Sequence, residues 1–213
     1  MAALEVAWLG DELLLGRHSA CLCEEGRSAL AQLGVTRLLA ADAPPSYNPS
    51  PATPEPISYA ALPICDDVSE PLQQHLEWSA SFIHEAVSSA SLVCVSCASG
   101  LSTGPAVVMY YLMRHRSLSL AQAMEAVRAV LPEVQPNIGF VQRLIEAEAC
   151  LRGELTPSLT IQQCATHWIS KCDKLMWLAL PHGAGTNGSF FRGSSRRRRG
   201  KAYSRRCTQA DMK

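Results

Sequence analysis

The sequence predicts an α/β domain: a sheet core covered by helices on both faces. Two observations carry this. Short β-branched apolar runs alternate with amphipathic helical stretches in the first half of the chain, and a block of helices follows. In addition, Leu92 to Ser96 (LVCVS) reads as a central strand that runs through a loop of small residues directly into a helix. Length and composition agree with a globular protein. The chain has 213 residues, 47% hydrophobic and 18% charged, which is neither a disordered nor a fibrous composition.

Taken in order, Leu4 to Arg17 reads as two short strands, VAWLG and LLLGR, joined at Asp11 and Glu12. His18 to Leu33 is predicted as one helix with Ala20, Leu30 and Leu33 on its apolar side and Gly34 as its C-terminal stop. Thr36 to Ala41 has the pattern of a buried strand. The stretch 44–56 holds six prolines and is expected to be a surface loop or insertion. Ile57 to Ile64 is the next strand. A long helix follows from Pro71, where proline suits a first turn, to about Ser89, with Leu72, Leu76, Phe82, Ile83 and Val87 as its core face. Beyond LVCVS, helices are predicted over Gly104 to Arg114, over Ser119 to Leu131 with Ser119 as N-cap, and over Gly139 to Arg152.

From Gly153 the character changes. The organisation read from the sequence is a domain over 1–152, a variable extension over 153–191, and a basic, disordered tail over 192–213. Trp168, Met176, Trp177 and Leu178 suggest one further helix in the extension, and 183–189 is linker-like. The net charge of +0 conceals this division: residues 1–191 carry ten basic and eighteen acidic side chains, and 192–213 carry nine and one. The cluster Arg196 to Arg199, Lys201, Arg205 and Arg206 reads either as a nuclear-localisation or nucleic-acid contact, or as a solvated end. Glu5, Asp11 and Glu12 interrupt any signal-peptide core, so secretion is not expected, and the formal sequon at Asn187 is given no role. No apolar run reaches the roughly 18 residues of a membrane span. The nine cysteines show no repeated spacing, so the expectation is reduced thiols in the cytoplasm, with the nucleus open through the tail.

Cys97 stands immediately after the predicted central strand and before a helix. Amides of a small-residue loop together with a helix N-terminus can hold an anion there, and the same field favours a thiolate. From spacing alone Cys97 is equally a small buried core residue. From the residues alone Asp66 reads as a solvated loop carboxylate beside Asp67, and His75 and His84 read as helix-surface residues.

Residues 4–150 resemble the cysteine-dependent dual-specificity protein phosphatases, in particular their small atypical members. The segment Ser96-Cys97-Ala98-Ser99-Gly100-Leu101-Ser102-Thr103-Gly104 is similar to the family's His-Cys-x-x-Gly-x-Ser-Arg-Ser, matching at Cys97, Gly100 and Ser102. PICDDVSEPLQQHLEWSASFIHEAV resembles the general-acid loop with its following helix, and Pro136-Asn137-Ile138-Gly139-Phe140 the family's Pro-Asn-x-Gly-Phe. The resemblance implies the protein tyrosine phosphatase-like fold, a central mixed sheet flanked by helices, with a strand, phosphate loop and helix at the site. It also implies Cys97 as nucleophile, Asp66 as general acid, Ala98, Ser99, Gly100, Leu101, Ser102 and Thr103 as the phosphate-binding loop, no metal and no cofactor, and phosphorylated or signalling proteins as partners. Three positions depart: the arginine is Thr103, the preceding histidine is Ser96, and the serine after the arginine is Gly104. Threonine supplies neither the charge nor the paired hydrogen bonds of a guanidinium, so the expectation is a pseudophosphatase or interaction module, with an active phosphatase as the alternative.

Overall fold

The computed structural model of the protein describes residues 5–43, 57–153 and 156–165. In chain order the elements are strands β1 (Val6–Leu9) and β2 (Leu13–Arg17), helices α1 (His18–Cys21) and α2 (Glu24–Gln32), strands β3 (Val35–Ala41) and β4 (Ser58–Leu62), helix α3 (Gln73–Ser88), strand β5 (Leu92–Cys97), and helices α4 (Thr103–Arg116), α5 (Leu120–Val130) and α6 (Ile138–Arg152). The strands form one mixed sheet in the order β1-β2-β5-β3-β4. Only β1 and β2 are antiparallel; β2, β5, β3 and β4 run parallel. The apolar run LVCVS is therefore central in space as well as in pattern. Buried between two parallel neighbours, it has no solvent face and needs no polar alternation.

Alternate residues of β5 face opposite layers. Val93, Val95 and Cys97 belong to the larger core with α3, α4, α5 and α6, whereas Cys94 packs with Leu14, Cys21, Leu30, Val35 and Leu38 beneath α1 and α2. Both faces of the sheet are covered, as the alternation of elements predicts. Helix α4 runs through the larger core, and every residue from Thr103 to Met113 is buried, so it is apolar on all sides rather than amphipathic. Phe140, Leu144, Leu120 and Met124, each at most 1% exposed, close the layer from α5 and α6. Burial of such side chains stabilises by about 1.5–3 kcal/mol each.

Three readings of the sequence need correction. The helix predicted over His18 to Leu33 is two helices, because Cys23 is extended (ψ 162) and its Sγ accepts the N–H of Gly26 as an N-cap, restarting the helix. Leu33 is exposed, and Cys21, Gly26 and Leu30 supply the buried face instead. In α3, Leu72 is the N-cap and Pro71 precedes it, while Phe82 and Val87 are only partly buried and the face is completed by Ala80 and Ala86. The other helices start where expected: Ser119 and Gln122 form a reciprocal capping box on α5, and the Asn137 side chain accepts the Phe140 N–H at the start of α6.

Residues 156–165 pack against this body. Leu159 and Ile161 lie on the core and Cys164 is fully buried. The Glu148 carboxylate, 3% exposed, accepts the Leu120 N–H (2.7 Å), the Ser158 N–H (2.9 Å) and the Ser158 hydroxyl (2.6 Å). The Pro-rich stretch 44–56, the helix suggested around Trp168 to Leu178, the sequon and the basic tail lie outside the described residues.

Candidate active site

The site is built at the C-terminal edge of the parallel strands. Arg17 at the end of β2 pairs in register with Cys97, and Ala40 of β3 pairs with Ser96. The chain leaves β5 at Cys97, turns through 98–102 and enters α4 at Thr103. Gly100 makes the turn with φ +72, a left-handed conformation that side-chain-bearing residues rarely adopt, and a Cβ there would lie 2.6 Å from Cγ of Arg17. Position 100 therefore favours glycine on two counts.

The Cys97 side chain is fully buried, and the backbone amides of Gly104, Ser102 and Gly100 lie near enough to its sulphur to favour the thiolate. Burial pushes the thiol above its ordinary range. The Gly104 amide opposes that, the Asp42 carboxylate adds to it, and the amides of Ser102 and Gly100 oppose it again, leaving a net rise. A raised thiol pKa means little thiolate at neutral pH. In a competition with iodoacetamide at pH 7.5, the exposed Cys23 and Cys150 should be alkylated first. Modification of Cys97 should keep increasing beyond pH 9, and a plateau below pH 8 in its peptide by mass spectrometry would contradict this account.

The structure brings Asp66, an exposed residue, against the loop. The Ser102 hydroxyl donates to Asp66 Oδ1 at 2.6 Å, Asn137 Nδ2 donates to the same oxygen at 2.7 Å, and the Asn137 N–H donates to Ser102 Oγ at 3.1 Å. Asp67 instead folds onto its own turn, accepting the N–H and hydroxyl of Ser69. Asn137 thus does two jobs, capping α6 and holding the acid loop. Gly139 does a third: a Cβ there would overlap the Val68 carbonyl oxygen, a backbone atom that cannot swing aside. Gly139→Ala should displace the loop carrying Asp66 and lower stability by about 2 kcal/mol, within the usual range for overpacking a core. A thermal melt unchanged to within about 1 °C would argue against that contact.

The three departures have distinct surroundings. Thr103 is fully buried and its Oγ1 has no hydrogen-bond partner. Ser96 faces α1, where His18 Nδ1 lies 3.1 Å from its Oγ. At Gly104 an added Cβ would meet Cys97 Sγ at 3.2 Å, so the sulphur has taken up the space a serine side chain would use. The structure adds His18, Asp42 and Arg17 to the site, which sequence reasoning misses. Nothing local marks them, because 56 positions separate Asp42 from Ala98 and 78 separate His18 from Ser96. Among the described residues no group of three His, Cys, Asp or Glu side chains is placed to hold a metal ion.

A cysteine ending a central parallel strand, ringed by loop amides ahead of a buried helix and faced by an aspartate on a neighbouring loop, is the architecture of the cysteine-dependent protein phosphatases. Residues 23–150 match the dual specificity phosphatase catalytic domain, and the chain belongs to that family. Human dual specificity phosphatase 28 is 36% identical over 152 residues, covering 68% of this chain and 82% of that protein. Human dual specificity protein phosphatase 14 is 29% identical over 71% of this chain and 73% of its own length. Among solved structures, that of human dual specificity phosphatase 28 superposes with TM-score 0.60 at 33% identity over 69% of this chain and 95% of that one. A mouse dual specificity phosphatase crystallised with zinc tungstate gives 0.63 at 30%, over 71% and 91%. The family makes phosphoproteins or signalling proteins the partners to expect, and no helix among the described residues is long and apolar enough to cross a membrane.

Proposed function

We propose that this chain is a catalytically impaired dual-specificity phosphatase-fold protein that acts in phospho-signalling through protein contacts, with phosphate recognition secondary. The observation that carries the reading is Thr103, a buried neutral residue with an unpaired hydroxyl where the fold's phosphate clamp requires a guanidinium. In the reaction open to such a site, the Cys97 thiolate attacks phosphorus while Asp66 protonates the leaving oxygen. Water then cleaves the thiophosphate, returning the thiol and releasing inorganic phosphate. Both steps gather negative charge on the phosphoryl oxygens, and the described loop offers them amides and the α4 N-terminus but no cation of its own. Burial and Asp42 also disfavour the attacking thiolate.

An active phosphatase is the competing reading, supported by Asp66 held at the loop and by three backbone amides near the sulphur that favour its thiolate. Hydrolysis of an aryl phosphate by the full chain, by Cys97→Ser and by Thr103→Arg separates the two. Impairment requires the parent to sit near the Cys97→Ser background and far below Thr103→Arg. A parent rate equal to that of Thr103→Arg and abolished by Cys97→Ser would establish the active enzyme.

A further inference from the structure

Two of the loop's six N–H groups are already engaged inside the molecule. The Leu101 N–H is taken by Ser99 Oγ at 3.1 Å. The Ala98 N–H, first after the nucleophile position, donates to both oxygens of the Asp42 carboxylate, at 3.0 and 3.2 Å. Asp42 is no loose surface group. It follows directly on β3, its side chain is 7% exposed, and its backbone is left-handed at φ +65, a conformation that Asp and Asn tolerate better than other side-chain-bearing residues. His18 stands beside it, with Nε2 2.7 Å from Oδ1 but without hydrogen-bond geometry. The other ring nitrogen of His18 faces Ser96 Oγ. A chain from Ser96 through His18 thus presses a carboxylate onto an amide that would otherwise meet an incoming anion.

We infer that Asp42 is a specificity-determining residue: an internal carboxylate seated on the first amide of the loop, it makes the loop discriminate against doubly charged oxyanions. The inference rests on reading 97–103 as an anion-binding loop, and not on whether the chain turns over. A backbone N–H that holds a carboxylate is satisfied, so an entering phosphate or tungstate must displace Asp42 or accept one fewer hydrogen bond. Either way it comes within a few ångströms of a fixed negative charge in a partly desolvated site, where repulsion is far stronger than in bulk water. The penalty grows with the charge of the ligand, so a dianion loses more than a monoanion.

The test uses the full chain, its Asp42→Asn variant, and inorganic tungstate as probe in titration calorimetry. Asparagine keeps the shape, the tolerance of a left-handed backbone and an oxygen for Ala98, and removes only the charge. Tungstate should bind Asp42→Asn at least about tenfold more tightly than the parent, with a smaller gain for the monoanion nitrate, and the pH midpoint of Cys97 alkylation should fall. A purely structural role would move neither the charge dependence nor the alkylation midpoint. Asp42→Gly, which also suits φ +65, gives the same comparison should the asparagine variant fail to fold. Unchanged tungstate affinity in a folded variant would overturn the inference, as would loss of folding in both, which would make Asp42 a structural residue. The outcome is independent of the hydrolysis assay: a parent as fast as Thr103→Arg overturns impairment and leaves the tungstate ratio to decide Asp42.

Discussion

Thr103→Arg is expected to raise kcat/KM for an aryl phosphate by about 10³-fold, the lower end of what a cation supplied to phosphoryl transfer contributes. The size of the effect follows from what the described loop already has. Amides and a helix N-terminus supply partial charges, but the loop carries no full positive charge of its own, and one is worth most where water is excluded. Position 103 begins α4 and is fully enclosed, so a guanidinium there is held in place rather than left to roam. Adding the two other family residues is not expected to help in proportion. Ser96 is fully buried and within 3.1 Å of His18 Nδ1, so Ser96→His has to evict that imidazole and with it the support of Asp42. Gly104→Ser has to move the Cys97 sulphur by a few tenths of an ångström. The triple change should therefore fall short of the single change unless His18 is also reduced to a small residue. Rates are to be compared at matched thermal stability, and a single variant no faster than the parent would refute the assignment of Thr103 as the limiting position.

The largest effect on stability is expected at Glu148. Glu148→Ala leaves the Leu120 and Ser158 amides without their acceptor in a site only 3% exposed. Hydrogen bonds to a charged group contribute about 1.5–3 kcal/mol each, and buried donors left unpaired cost a similar amount. A loss of about 3 kcal/mol, or roughly 10 °C in Tm for a domain of this size, is the expected result by thermal melting. Glu148→Gln, which keeps an acceptor, should lose less. The carboxyl is pushed up by burial, but the Ser158 hydroxyl and the amides of Leu120 and Ser158 outweigh that and hold it below the ordinary glutamate value of 4.5. A depressed folded-state pKa means that its contribution is fully present above about pH 4.5 and is lost as pH falls through the lowered value. The gap between wild type and Glu148→Ala should accordingly narrow in acid, and a gap that stayed constant down to about pH 3 would rule out the carboxylate as its source.

Glu148 also shows what the sequence leaves hidden. Its partner Ser158 lies past Gly153, where the amphipathic pattern stops, and no periodicity announces a single serine folding back to a buried acid. Elements with strong periods or caps are legible: β5 from LVCVS, α5 from Ser119, α6 from its apolar spacing. The break at Cys23 is not, because a thiol is a rare N-cap and the flanking residues keep helical propensity across it. Within the site, Cys97 and the loop that follows it form one contiguous stretch that the sequence displays, whereas Asp66 is singled out only through the family resemblance. Asp42 and His18 cannot, since only the parallel pairing of β3 and β2 with β5 carries their strand ends to the same edge.

The central position of β5 has a consequence for how the molecule breathes. Local opening starts where hydrogen bonds and buried contacts are fewest, and in this sheet that means β1 and β4, each paired on one side only among the described residues. Cys97 closes a strand paired on both sides and is followed by a helix with no exposed residue in its first eleven. Exposing the thiol by fluctuation therefore requires opening that approaches global unfolding. In the folded protein the sulphur stays enclosed beneath its loop, so the charges placed around that loop, rather than the flexibility of the chain, set which anions are held there.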